Sequence, residues 1–98
     1  MFFQKKPKTK INLSNFRDYL PIGSIVKLGD ARKYLIAGVG QFDERSREDY
    51  DYIGVPYPEG HLGNECNVFF DHVDIRSVVH TGFIDEDYQM LIDIASPN

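Results

Sequence analysis

The 98-residue chain reads as an α+β protein: a small antiparallel β-sheet, or an SH3-like partly open barrel of about five strands, with a short N-terminal helix and a C-terminal amphipathic helix. Three observations predict this. Segments rich in β-branched and aromatic residues alternate with turn residues through residues 24–83. Within residues 68–83 a strand, a one-turn break and another strand follow one another, as at the end of an SH3-like barrel; this is fold-level analogy and carries no function. Finally, residues 86–95 place their apolar side chains at helical spacing.

Taken in order, residues 1–13 read as a basic flexible arm and residues 14–98 as a single α+β domain. Lys5, Lys6, Lys8 and Lys10 put four positive charges in the first ten residues, and such a terminus is expected to be solvated and frayed. Ser14 is an acceptable N-cap for a short helix over residues 14–20, where Phe16, Tyr19 and Leu20 share a face. Pro21 limits it to a turn or two by disfavouring the helical conformation at Leu20. After the turn Pro21-Ile22-Gly23-Ser24, residues 24–28 read as a strand. Residues 33–39 form a second strand, apolar on both faces after Lys33, as a central strand is. Gly38 and Gly40 weaken pairing there and mark a bulge or a sharp bend. Residues 41–48 are the most polar segment and read as a solvated hairpin loop.

The third strand starts at Asp49 and runs into a turn over residues 56–63 that contains Pro56, Pro58, Gly60 and Gly63. Asp49 and Asp51 point to one side of it, which predicts a charged face. Tyr50, Tyr52 and Tyr57 fall within eight residues, with Glu59 beside them. Tyrosine is amphipathic and enriched at interfaces, so these four are candidate partner-binding residues. Residues 68–70 form a short strand, residues 71–74 break it, and residues 75–83 resume the extended pattern.

Asp85 caps the last helix, over about residues 86–95, and Asp85, Glu86 and Asp87 complement its dipole. Tyr88, Leu91, Ile92 and Ala95 fall at i, i+3, i+4 and i+7, a single stripe that Met90 and Ile94 broaden. Tyr88 and Leu91 are therefore added to the candidate partner-binding residues, because a helix stripe covers either its own core or a partner.

Composition narrows the function classes. The net charge is −4, and outside the first ten residues seven basic side chains face fifteen acidic ones. Such a body repels nucleic acid and suits a basic partner. Stacking platforms for single strands need a cationic groove, which is missing around Tyr50, Tyr52 and Tyr57. Cys66 is the lone cysteine; it excludes an internal disulfide, fits a reducing, cytoplasmic setting, and reads as a small buried hydrophobe. No apolar run approaches a membrane span, so no membrane role is expected.

No cofactor, metal site or catalytic constellation is expected either. His61, Cys66, His72 and His80 match none of the short-spaced zinc signatures. Asp49, Asp51 and Glu59 lack the glycine and final glutamate of a calcium loop. Gly38-Val39-Gly40 lacks the lysine of a phosphate loop, and no serine sits in an activating context. His72 close to Asp71 and Asp74 is the one arrangement that suggests an oriented imidazole, the basis of a small-hydrolase reading.

Leu20-Pro21-Ile22-Gly23-Ser24-Ile25-Val26-Lys27-Leu28, then Tyr52-Ile53-Gly54-Val55-Pro56-Tyr57-Pro58-Glu59-Gly60, then Phe70 through Asp74-Ile75 and Val78 to Gly82-Phe83 resemble the family called domain of unknown function 4176. The likeness spans about residues 20–94, with the Tyr-Pro-Glu-Gly block its most specific part. It implies an accessory protein of the type VIIb secretion system of Gram-positive bacteria, a chaperone or adaptor whose protein partner is an LXG-type toxin. No catalytic residue comes with the resemblance, which marks Pro56, Tyr57, Pro58, Glu59 and Gly60 as characteristic positions. The alternative is an immunity protein whose acidic body covers a basic active site. Homodimerisation through a sheet edge or the last helix is compatible with both.

Overall fold

The computed structural model describes residues 19–95. The expected basic arm and most of the expected first helix lie outside them. Two compact units are distinguished, Leu20–Phe83 and a unit that joins Met1–Tyr19 to Ile84–Asn98; each is described by itself.

The first unit is a five-stranded antiparallel sheet. Its strands are β1 (Ile25–Lys27), β2 (Lys33–Asp43), β3 (Glu48–Pro56), β4 (Val68–Phe70) and β5 (Ser77–His80), in spatial order β4-β3-β2-β1-β5. The run Lys33–Val39, apolar on both sides, is thus the central strand that its composition predicts. The expected break after β4 is a 3₁₀ turn over His72–Asp74, closed by a reciprocal capping box between Asp71 and Asp74. A second 3₁₀ turn covers Asn64–Cys66. Cys66 is half-buried rather than enclosed as expected.

One sheet face carries the core. Val26 lies opposite Tyr34, Ile36 opposite Gly54, and Tyr52 opposite Phe70, and their side chains are buried. Enclosing each large side chain contributes about 1.5–3 kcal/mol. Tyr52 stacks on Phe70 with ring centroids 5.3 Å apart. Gly54 is small for a reason: a Cβ there would sit 3.0 Å from the Phe70 ring and 3.2 Å from Tyr34 Cβ.

The segment read as a solvated hairpin loop, residues 41–48, does hold the hairpin turn, but half of it is strand. β2 continues to Asp43, β3 begins at Glu48, and only residues 44–47 turn. The Asp43 carboxylate explains the short loop. It accepts from the Arg45 N–H (3.0 Å) and the Ser46 hydroxyl (3.1 Å), while the Arg47 N–H bonds the Asp43 carbonyl (2.7 Å). An Asx turn of this kind lets polar flanks pair as strands.

The bulge expected near Gly38 is present. Ile36 pairs with Gly54 and Gly38 with Ile53, so Ala37 is the extra residue. An extra residue reverses the side-chain parity beyond it. Val39, opposite Tyr52, returns to the core side, and Phe42 is sent to the opposite face, which it shares with Ile53.

Ser24 ties β1 to the chain after β5. Its buried hydroxyl donates to the Pro21 carbonyl (2.8 Å) and accepts from the Gly82 N–H (2.9 Å). Gly82 is required there, because a Cβ would collide with the Ile22 carbonyl oxygen.

The described part of the second unit contains one helix, α1 (Glu86–Ala95), with the bounds its periodicity predicts. Asp85 is its cap: Oδ1 accepts the Tyr88 N–H (3.1 Å), and the Asp85 carbonyl accepts the Gln89 N–H (3.0 Å). Ile92 is buried, and the Tyr88 hydroxyl donates to the Tyr19 carbonyl.

Candidate functional site

The candidate tyrosines do not form one patch. Tyr52 is wholly buried, and its hydroxyl accepts from the Leu20 N–H (2.9 Å) and lies 2.7 Å from His72 Nδ1. It is a core residue with no side-chain surface to offer. Tyr50 is half-buried, its ring centroid 5.6 Å from that of Phe69. Tyr57 is exposed, just past the end of β3, and Glu59 is exposed beside it. The Tyr57 N–H bonds the Lys33 carbonyl (3.0 Å), and the Gly60 N–H bonds the Pro56 carbonyl (2.7 Å). The characteristic Pro56–Gly60 block therefore builds the turn that ends β3, with a cis Tyr57–Pro58 peptide.

The charged face expected of Asp49 and Asp51 is only half realised. Asp49 is exposed, whereas Asp51 is buried. The Asp51 carboxylate accepts the His72 N–H (2.8 Å), and its own N–H donates to the Asp71 carboxylate (3.0 Å). This exchange clamps the 3₁₀ turn onto β3. Charge-assisted bonds of this type are short and about twice as strong as neutral ones. Among the described residues no group of three or more His, Cys, Asp or Glu side chains is arranged to hold a metal ion. No helix among them is long and apolar enough to cross a membrane.

Apolar side chains reach solvent in several places, Leu62, Val73, Val78, Val79 and Phe83 among them; a groove on the sheet and the face of α1 are two more. The first is a groove of about 420 Å³ on the face reached by Phe42, lined by Phe42, Ile53, Phe69, Asn64, Asn67 and Arg45 among others. Asn67 Oδ1 is buried there without a hydrogen-bond partner. Composition could not disclose this groove, since it depends on the parity change at Ala37. The only trace in the sequence is an isolated phenylalanine in a polar segment.

The second region is α1. Leu91 is 44% exposed, Met90 60% and Ile94 74%. These three fall within an arc of about 100° on the helix, at 100° per residue. Of the stripe expected to face inward, Ile92 is buried, Tyr88 is half-buried and Leu91 is left in solvent. The charged residues of residues 84–95 are Asp85, Glu86, Asp87 and Asp93, all acidic.

Electrostatic perturbation is resolved at the pair Asp30 and Tyr34. The Arg32 N–H (3.0 Å) and then the Tyr34 hydroxyl (2.8 Å) hold the Asp30 carboxyl below its ordinary 3.8. Burial, followed by the Asp30 charge, pushes the Tyr34 phenol above its ordinary 10.0. The pair closes the β1–β2 turn.

No curated protein and no solved structure matches the chain. Residues 19–91, most of the length and the whole sheet, match the family model described as Domain of unknown function (DUF4176), and the chain belongs to that family.

Proposed function

We propose that this chain is a non-enzymatic protein-binding accessory factor, a cytoplasmic chaperone or adaptor that holds an LXG-type toxin before export by a type VIIb secretion system. The observation that carries the reading is the exposed row Met90, Leu91 and Ile94 on α1. Three aliphatic side chains held in water by a capped helix gain about 25 cal/mol per Å² when a partner covers them. Leu91 and Ile94 at i, i+3 and Met90 and Ile94 at i, i+4 follow the spacing of helices that dock into apolar grooves. The family resemblance supplies the toxin and the secretion system. The net negative body supports a partner with basic surface.

Co-expression with the toxin followed by pull-down tests the proposal. A chaperone is retained with the toxin and raises its abundance. If no complex forms and toxin abundance is unchanged without this chain, the proposal fails. The immunity reading, motivated by the same acidic body, is separated by a toxicity assay: rescue of cells at constant toxin abundance favours it.

A further inference from the structure

We infer that the exposed face of α1 receives a basic amphipathic helix of the partner; this rests on the protein-binding reading and specifies its chemistry. The apolar row is narrow and straight. Met90 and Ile94 stand one turn apart, with Leu91 beside them, a ridge suited to the groove of a second helix. Acids stand at helical spacing from these residues: Asp87 lies four residues before Leu91, Glu86 four before Met90, and Asp93 three after Met90.

The helix dipole accounts for the acids of the first turn but not for Asp93 near the C-terminal end, where an anion is disfavoured and the last turn of the helix holds no basic residue. An apolar ridge with acids at helical spacing from it selects an apolar stripe bordered by Lys or Arg. A second copy of this chain is the poorer occupant. Two α1 helices meeting on this face would bring their acids together, and like charges at an interface act against association.

The test uses the full chain and two synthetic peptides of equal length, one with leucines on one face and lysines on the rest, the other with glutamates in place of the lysines. Fluorescence anisotropy is expected to show saturable binding of the lysine peptide and none of the glutamate peptide. Simple attraction between an acidic protein and a basic peptide predicts that Ile94→Glu binds more tightly, because it adds negative charge. Docking on the apolar row predicts the reverse, a loss of about tenfold or more. Gln89→Glu, which adds the same charge away from the row, should keep or tighten binding. Circular dichroism confirms that α1 persists in both variants.

Equal or tighter binding by Ile94→Glu, or equal affinity for the two peptides, overturns the inference. So does a dimer in light scattering that Ile94→Glu dissolves, which would assign the face to a second copy. The broader reading is judged separately. Toxin retained equally by the wild-type chain and by Ile94→Glu sinks the surface and leaves the chaperone. Lysine-peptide binding lost in Ile94→Glu, with no toxin retained by either, does the opposite.

Discussion

The sheet and α1 use apolar side chains in opposite ways. In the sheet, Tyr34, Tyr52 and Phe70 are buried, and the two hydroxyls are tied to Asp30, Leu20 and His72. On α1, Met90, Leu91 and Ile94 are exposed and the charged residues of the helix share one sign. Residue type alone does not separate a packing residue from a docking residue. The cost of leaving a side chain in water does: the sheet has already gained its burial energy, whereas Met90, Leu91 and Ile94 have not.

Substitutions test that contrast, and the largest effect belongs to the sheet. Ile36→Ala is expected to cost about 2–5 kcal/mol in urea unfolding, since Ile36 is fully enclosed and a cavity would remain. A cost under 1 kcal/mol would mean that the core collapses around the gap and is less specific than described. Next comes Tyr52→Phe, which keeps the ring and removes the hydroxyl. Leaving the Leu20 N–H unsatisfied is expected to cost about 1–3 kcal/mol. No change would return Tyr52 to the status of an ordinary core aromatic.

The Asp30–Tyr34 pair sharpens the comparison through pH. The Asp30 carboxyl is lower in the folded chain, so its contribution is present above the ordinary 3.8 and is lost as pH falls through the folded value. The Tyr34 phenol is higher in the folded chain, so its contribution is complete below the ordinary 10.0 and is lost as pH rises through the folded value. Thermal melts of Tyr34→Phe should therefore lose less stability above pH 10 than wild type. They should also show a weaker acid dependence that Arg32 still partly sustains. Identical profiles would show that the pair is not coupled to folding.

The smallest stability effect is expected on α1. Ile94→Ser should change unfolding by no more than about 0.5 kcal/mol, as exposed substitutions do, while weakening partner capture. A loss above 1 kcal/mol would show Ile94 to be part of the fold and remove the contrast between the two regions.

Much of the fold is legible from local chemistry. Asp85, the following acids and the 3.6-residue period locate α1 at residues 86–95. Pro56, Pro58 and Gly60 locate the end of β3. The break at Asp71–Asp74 is a capped 3₁₀ turn. These features depend on neighbours within a few residues, which a sequence displays directly. The strand ends inside the polar hairpin are not legible, because Asp43 folds its own turn, and a polar strand with one solvated side carries no apolar signal.

Sequence alone therefore determined where the apolar parts of the strands and the helix lie, how the helix begins, and that the net charge is negative, because propensity, capping and charge are local or additive properties. Tertiary structure alone decided which face each side chain meets. One extra residue at Ala37 reverses the parity of β2 and opens the Phe42 groove. The pairing of β3 with β4 takes Tyr52 out of reach and encloses Asp51. Leu91 stands in water although its spacing groups it with the buried Ile92. Exposure depends on what other elements cover, and no window of neighbouring residues contains that information.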